Sequence, residues 1–409
     1  MKNFEIAVVG GGMAGMIAAL SLAKAGRQVA LIAGPARKDK RTTALMDQSI
    51  RFMQSLGVWE KLEPAAAALS TMQIIDGTER LLRAPPVAFR AAEVGLEAFG
   101  YNFPNEALLK ILQDVIANDQ RITVISEVAE IISISDDAVT LTLGDGDVLR
   151  ADFVVGADGR KSKVRESAGI AVRTWSYPQT ALVLNFAHTI PHHNVSTEFH
   201  TESGPFTQVP LPGNRSSLVW VQKPENATRM AELPLAEISR MVEARMQSML
   251  GKVTVEEGVQ TWPLSGMVAH NFGAGRVALI GEAAHAFPPI GAQGLNLSLR
   301  DVMVLTELVS MVPGAPVPAS AGDRFDRRRK TDVISRSASV DLLNRSLLSN
   351  FLPVQMMRAA GLHLLSGLSP LRALVMREGV EPGRGFRSIP EALREKLCGH
   401  GSRADQVQH

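Results

Sequence analysis

The chain has a single cysteine, Cys398, in 409 residues. One thiol cannot form an internal disulfide framework, and such usage fits a reducing compartment. Only two tyrosines occur, Tyr101 and Tyr177, and aromatic residues make up 5%. Neither sign of charge dominates: 43 Lys and Arg against 41 Asp and Glu leave a net charge of +2. That balance, without a nucleic-acid motif, argues against a nucleic-acid partner. Metal-ligand spacing is missing as well. His192-His193 has no other ligand at zinc-like spacing, so it reads as a surface loop and no metal site is expected. One uncharged run, Ile6 to Ala23, reaches the length of a short membrane span. Its central glycines argue instead for strand, tight turn and helix. Met1-Lys2-Asn3-Phe4-Glu5 places an acid where the apolar core of a signal peptide would begin. The expectation is a cytoplasmic chain with no transmembrane helix.

What is present is ordinary for a globular protein, with 45% hydrophobic and 21% charged residues. The length exceeds one usual domain, which predicts two interleaved domains. Phe4 to Val9 is a short apolar run ending in glycines, so it reads as a buried parallel strand. A helix over Ala14 to Ala25, stopped by Gly26, and a strand over Val29 to Ile32 complete a βαβ unit. Ser49 to Leu56 and Asn105 to Ala117 read as helices. Val124 to Leu143 holds two or three strands, with a hairpin turn at Gly144-Asp145-Gly146-Asp147. From Val172 to Pro263 strand-like runs dominate: Ala181 to Ala187, Thr197 to His200, Phe206 to Val209 and Ser216 to Val221. One helix, Leu235 to Met249, is expected there. Val277 to Ile280 returns to the first sheet, and Leu295 to Val309 is a helix. Pro313 to Pro318 reads as a linker, and the polar tail after His400 as disordered.

Three motifs follow one another in order. Gly10-Gly11-Gly12-Met13-Ala14-Gly15 follows a strand and opens a helix. Gly10 makes the tight turn, Gly12 admits a pyrophosphate, and Gly15 lets helix and strand approach. The helix N-terminus offers free N–H groups and partial positive charge to phosphates. The usual acid at the end of the second strand is absent. Leu31-Ile32-Ala33-Gly34-Pro35 holds no carboxylate, and Asp39 is the nearest candidate for the ribose hydroxyls. The second motif is Gly156-Ala157-Asp158-Gly159. The third is Gly281-Glu282-Ala283-Ala284-His285, running on through Pro288 and Gly291 to Gly294-Leu295-Asn296. Their order and spread predict an FAD-dependent enzyme. No second strand-associated Gly-x-Gly-x-x-Gly occurs, since Gly273-Ala274-Gly275 precedes a strand. A nicotinamide dinucleotide is therefore expected to visit without a Rossmann domain of its own.

The run from Gly281 to Asp301 resembles the flavin monooxygenases related to para-hydroxybenzoate hydroxylase, and more narrowly the ubiquinone-biosynthesis hydroxylases. Arg41-Thr42-Thr43-Ala44, Leu56-Gly57-Val58-Trp59, Tyr177-Pro178-Gln179 and Thr201-Glu202-Ser203-Gly204-Pro205 support the resemblance, which covers residues 4 to 380. It implies an α/β fold: a Rossmann-like FAD-binding domain interleaved with a β-sheet substrate domain and a helical C-terminal region. The expected segments are 1–171 and 266–312 for the FAD domain and 172–265 for the substrate domain. Residues 313–400 form the helical region and 401–409 the tail. The resemblance assigns FAD to Gly10, Gly12, Ala14, Gly15, Arg41, Asp158, Gly159, Gly281, Glu282, Gly294, Leu295 and Asn296. Arg41 would reach the phosphate and ribityl region, and Asp158-Gly159 would lie near the pyrophosphate. Glu282 stands where the family usually has a ribityl-binding aspartate. Gly294-Leu295-Asn296 would aim a helix N-terminus at the flavin pyrimidine ring, where reduced flavin is negative.

The implied reaction is reduction of FAD by NAD(P)H, oxygen addition to give a flavin hydroperoxide, and hydroxylation of an electron-rich phenol. The implied partners are a polyprenyl phenol, O2, and the inner-membrane surface or other ubiquinone-biosynthesis proteins. Two rival readings stand beside it: a soluble monooxygenase of a small phenol, and a non-catalytic flavoprotein or scaffold subunit. No side chain stands out as an obligatory base. His285, Pro288 and Gly291 are candidates for substrate contact, with packing an equal reading for His285. Asp326-Arg327-Arg328-Arg329-Lys330 reads as a solvated helix face ahead of an anionic-lipid patch. Leu362 to Val375 is apolar, to be buried in a core or laid on a membrane.

Overall fold

Ile6 to Val9 are all buried, because the strand they form has neighbours on both sides and helices on both faces. In this computed structural model residues 2–35, 39–78, 85–288, 293–310 and 315–348 are described. Strand β1 (Lys2–Val9), helix α1 (Met13–Lys24) and strand β2 (Val29–Ile32) form the βαβ unit, with β1 and β2 parallel. Helix α1 is apolar all round and is buried from Gly15 to Ala23. A short strand β3 (Thr42–Met46) leads into α2 (Asp47–Ser55) and α3 (Trp59–Leu62). Then come β4 (Ala67–Ala68), β5 (Thr71–Asp76), β6 (Val87–Arg90), β7 (Gly100–Pro104) and α4 (Asn105–Ala117). Strands β8 (Ile122–Ile125), β9 (Ala129–Ile134), β10 (Val139–Leu143) and β11 (Val148–Gly156) precede the five-residue helix α5 (Lys163–Ser167).

The second half opens on a long strand, β12 (Val172–His188), followed by β13 (Val195–Thr201), β14 (Gly204–Leu211) and β15 (Arg215–Gln222). Helices α6 (Pro224–Ala231) and α7 (Leu235–Arg245) come next. The chain returns through β16 (Val253–Val255), β17 (Gln260–Ala269), β18 (Gly273–Ala274), β19 (Val277–Leu279) and β20 (His285–Ala286). Helices α8 (Gln293–Val309) and α9 (Ala321–Leu348) follow.

Three sheets result. The nucleotide-type sheet runs β18-β19-β11-β1-β2-β8, with β10 and β9 branching from β11. The large sheet runs β20-β17-β12-β15-β14-β13-β5-β6, with β16 beside β12. A small sheet, β3-β7-β4, joins the strand before α2 to two strands that lie between α3 and α4 in the chain. The α/β architecture is as expected, but the large sheet borrows from the first segment. Strands β5 and β6, inside residues 1–171, pair with β13 and with each other. Leu182, Leu184 and Phe186 of β12, Leu218 and Trp220 of β15, and Phe206 of β14 form one core with α6 and α7. On the opposite face of that sheet Ser217 meets Thr42 and Asn102 of the small sheet.

Two helical readings need correction. The helix expected over Leu235 to Met249 ends at Arg245, because Gln247 and Ser248 take left-handed backbone at φ 52° and 55°. The charged run 326–330 is not uniformly solvated. Asp326 and Arg329, three apart on α9, both point inward while Arg327 and Arg328 stay exposed. Most of the Pro313–Pro318 linker is described only from Ala315 onward, and Leu362 to Val375, Cys398 and the tail lie outside the described residues.

Candidate active site

Sheet register brings the three motifs together. Val9 of β1 is level with Ile32 of β2 and with Gly156 of β11, and Gly156 is level with Leu279 of β19. The chain leaving each strand therefore emerges at one edge: Gly10 to Gly12, Ala157 to Gly159, and Ile280 to Glu282. Backbone bonds fix the exits, with Ala157 N–H donating to Val9 O at 2.8 Å and Ile280 N–H to Gly156 O at 2.9 Å. Ligands of open parallel sheets bind at such carboxyl ends.

The glycines divide by what a side chain would meet. A Cβ on Gly10, at φ +126°, would lie 2.2 Å from Ala157 O, and one on Gly15 would lie 2.0 Å from Gly10 O. Those two serve the fold. A Cβ on Gly12 meets nothing within 4 Å. Gly12 is also the N-cap of α1, which has no side-chain cap and no acid in its first turn. The first N–H groups of such a helix have no intrahelical acceptor, and Gly12 leaves room beside them, the arrangement a pyrophosphate requires. Asp158 supplies a second opening. Its Oδ2 accepts from Lys163 N–H at 2.7 Å and Val164 N–H at 3.2 Å, while its buried Oδ1 has no partner among the described residues. These features fit an FAD pyrophosphate and its neighbouring hydroxyls.

Arg41 is positioned by Asp39, not left free. Its Nε lies 2.8 Å and its Nη2 2.7 Å from the two Asp39 oxygens, and Asn105 Nδ2 donates to Asp39 Oδ2 at 2.9 Å. Burial pushes the Asp39 carboxyl up, but Arg41 and Asn105 outweigh it and hold it below its usual value. Asp39 in turn raises the Arg41 pKa, with a smaller contribution from Glu282. So Asp39 orients Arg41 on the third-motif side, and its carboxylate is already engaged there. The guanidinium also sits 4.7 Å from the Trp262 ring centre on β17.

Glu282 is exposed, and its carboxylate lies 3.5 Å from Arg160 Nε. Arg160 also donates to Ser265 Oγ at 2.6 Å. Buried Arg165 ties the second motif to the third, donating to Ala283 O and to Arg160 O. Neither arginine stands out in the sequence, and only the Ser162 cap of α5 hints at an ordered loop. At the start of α8, Gly294 is open and Leu295 is buried. Asn296 is clamped to β3: its Oδ1 accepts from Met46 N–H at 2.9 Å and its Nδ2 donates to Ala44 O at 2.8 Å.

His285 sits inside an ion cluster. Its Nε2 lies 2.6 Å from Asp301 Oδ2, and its ring stacks on Phe287 at 5.6 Å. The same Asp301 oxygen accepts from Gly281 N–H at 3.1 Å, and Asp301 Oδ1 accepts from Arg329 Nε at 2.8 Å. Burial works against charge on Arg329, but Asp301 and Asp332 outweigh it and raise its pKa. Pro288 is buried close by in sequence, and Gly291 lies outside the described residues. His192 is a turn residue, with Nε2 on Leu211 O and Nδ1 taking the Asn194 N–H.

An open helix N-terminus at the meeting of three motifs fits an FAD pyrophosphate, and the matches to known proteins make the chain an FAD-dependent monooxygenase. The chain belongs to the FAD-binding domain family, whose model matches residues 3–331. It is 32% identical over 411 residues to "Ubiquinone hydroxylase UbiL" of Rhodospirillum rubrum, covering 95% of this chain and 94% of that one. It is 31% identical over 371 residues to "3-demethoxyubiquinol 3-hydroxylase" of Escherichia coli, covering 88% and 93%. In fold it is similar to p-nitrophenol 4-monooxygenase PnpA of Pseudomonas putida, with TM-score 0.75 at 20% identity over 94% of this chain and 99% of that one. HpxO of Klebsiella pneumoniae, solved with FAD, has TM-score 0.76 at 16% identity over 93% and 99%.

Proposed function

We propose that this monooxygenase hydroxylates the ring of a ubiquinone precursor bearing a polyprenyl tail, using NAD(P)H and O2. The observation that carries this reading is full-length similarity, at 32% identity, to a protein named as a ubiquinone hydroxylase. The sheet face that meets the small sheet agrees with an apolar substrate. Ala181, Val221 and Leu264 pack there with Tyr177, Val183 and Val219. Among the described residues no helix is long and apolar enough to cross a membrane. A prenyl tail cannot cross water, so the protein meets its substrate at a bilayer surface or through a protein partner. A strain lacking the gene, and any redundant hydroxylase, is expected to lack ubiquinone and accumulate a prenylated phenol short of one ring hydroxyl. Normal ubiquinone in quinone extracts of that strain overturns the reading.

FAD, when bound and reduced by a nicotinamide, supplies the chemistry that activates O2. The chain's own work is to hold and orient it. Gly12 and the start of α1 would hold the pyrophosphate, with Gly10, Ala14, Gly15, Asp158, Gly159 and Gly281 shaping that edge. Arg41 would face the phosphate and ribityl region. Gly294, Leu295 and Asn296 would present the N-terminus of α8 to the flavin ring. Glu282 would exchange its exposed Arg160 partner for a ribityl hydroxyl. An exposed ion pair contributes about 0–1 kcal/mol, so Glu282→Ala is expected to unfold at nearly the wild-type temperature. Losing a charged-group hydrogen bond costs about 1.5–3 kcal/mol, so the same variant should hold FAD about tenfold or more weakly. Flavin titration beside thermal unfolding checks both halves, and unchanged FAD affinity removes the ribityl role.

A further inference from the structure

The sheet face that meets the small sheet carries an acidic residue that no step above uses. Its facing follows from register. Ser217 Oγ accepts from Thr42 Oγ1 at 2.9 Å and from Asn102 Nδ2 at 3.3 Å, both on the small sheet. Residues two apart on a strand share a face, and so do directly paired residues of neighbouring strands. Val219 therefore shares the Ser217 face, Thr207 pairs with Val219, and Glu198 pairs with Thr207. One strand further, Met72 pairs with Ser196 and so lies on the same face. Met72 packs on the Ala91–Phe99 cluster together with Met46, whose N–H is held by Asn296 at the start of α8. Glu198 thus lies on that face, one residue pair along from the row of Ser217 and Met72 that meets the small sheet and the Ala91–Phe99 cluster.

Its surroundings set it apart from other carboxylates there. Asp39 is forked by Arg41, and Glu282 pairs with Arg160. Among the described residues Glu198 has no guanidinium partner. His200 Nε2 lies 2.9 Å from its Oε1, and Thr207 Oγ1 donates to its Oε2 at 3.2 Å. Its side chain keeps 26% of its surface while His200 keeps 10%. A carboxylate so held has lone pairs left to accept. A carboxylate locked to arginine is a poor base; one backed by an imidazole can take a proton and share it.

We propose that Glu198 accepts the proton of the substrate's phenolic hydroxyl as oxygen adds to the ring, with His200 holding it in place. The proposal rests on the ring-hydroxylation reading. The phenol O–H bond breaks and its proton passes to the Glu198 carboxylate. The bonding pair stays on the phenol oxygen and feeds the ring carbon that receives oxygen. The proton rests as the Glu198 carboxylic acid or the His200 imidazolium until solvent removes it.

The test uses the FAD-loaded chain with ortho-allylphenol and its methyl ether, binding being read from the flavin absorbance change. Wild type is expected to bind the phenol about tenfold or more tightly than the ether, because a hydrogen bond to a charged group is at stake. Glu198→Ala should erase that preference. Glu198→Gln keeps an acceptor oxygen and part of the preference, yet should lower hydroxylated product per NAD(P)H consumed by about 100-fold. Glu198→Asp should restore much of the product. FAD content should be unchanged in all three, which separates this role from a folding defect. A Glu198→Ala chain that still prefers the phenol, or a Glu198→Gln chain with wild-type coupling, overturns the proposal. The binding preference needs no turnover, so it decides the role of Glu198 even where hydroxylation itself fails.

Discussion

Gly12→Asp should yield a folded chain with no FAD. The position offers the substituted Cβ open space, so the fold has no steric reason to fail. The new carboxylate would stand at an uncapped helix N-terminus, where it can accept the very N–H groups a pyrophosphate needs. It would also repel the two phosphate charges at close range. The expected result is wild-type thermal unfolding of the apoprotein together with colourless purified material. Gly15→Ala is the contrast. Its Cβ would sit 2.0 Å from Gly10 O, so loss of soluble protein is expected there. A yellow Gly12→Asp protein with full flavin content would show that the pyrophosphate lies elsewhere.

Arg329→Met should be the most destabilising single change outside the glycines. Among the described residues it leaves Asp301, 1% exposed, with His285 and the Gly281 N–H around its charge. Breaking a buried pair by removing one partner costs about 3–5 kcal/mol. The damage should reach the cofactor, because Asp301 holds the backbone of the third motif at Gly281. Thermal unfolding and FAD retention should therefore fall together. Adding Asp301→Asn removes the stranded charge and should recover part of the loss, as a double-mutant cycle would quantify. If the single variant unfolds at the wild-type temperature, the cluster contributes nothing to the fold.

The parts of this molecule that were legible are those whose signal is local. Val29–Ile32 and Asn105–Ala117 have the bounds expected from the sequence, because each is decided by its own residues. The small sheet was not legible. Thr42–Met46 and Gly100–Pro104 are short and mixed in polarity, and they pair across more than fifty residues of chain. Strands β5 and β6 were missed for the same reason, since Thr71–Asp76 finds its partner at Val195–His200. Within the site, the motif glycines announced themselves and Asp301 was visible only as the end of a motif. Its partner Arg329 hid in a charge run that composition alone reads as solvent-facing. Glu198 and His200 carried one faint signal: alternate positions of a strand share a face. Nothing local says which face, because that depends on Thr42 and Asn102 far upstream.

The Asn296 side chain grips strand β3 by two backbone groups, and Thr42 of that strand touches Ser217 on the large sheet. With the substrate on the large sheet and the flavin before α8, as proposed, strand β3 would tie the two together through side-chain hydrogen bonds. A ring settling on the sheet would then be felt at the helix tip, and an occupied helix tip on the sheet. Thermodynamic reciprocity makes the two effects equal in binding free energy. The affinity of the chain for its cofactor should thus carry information about whether a substrate is already in place.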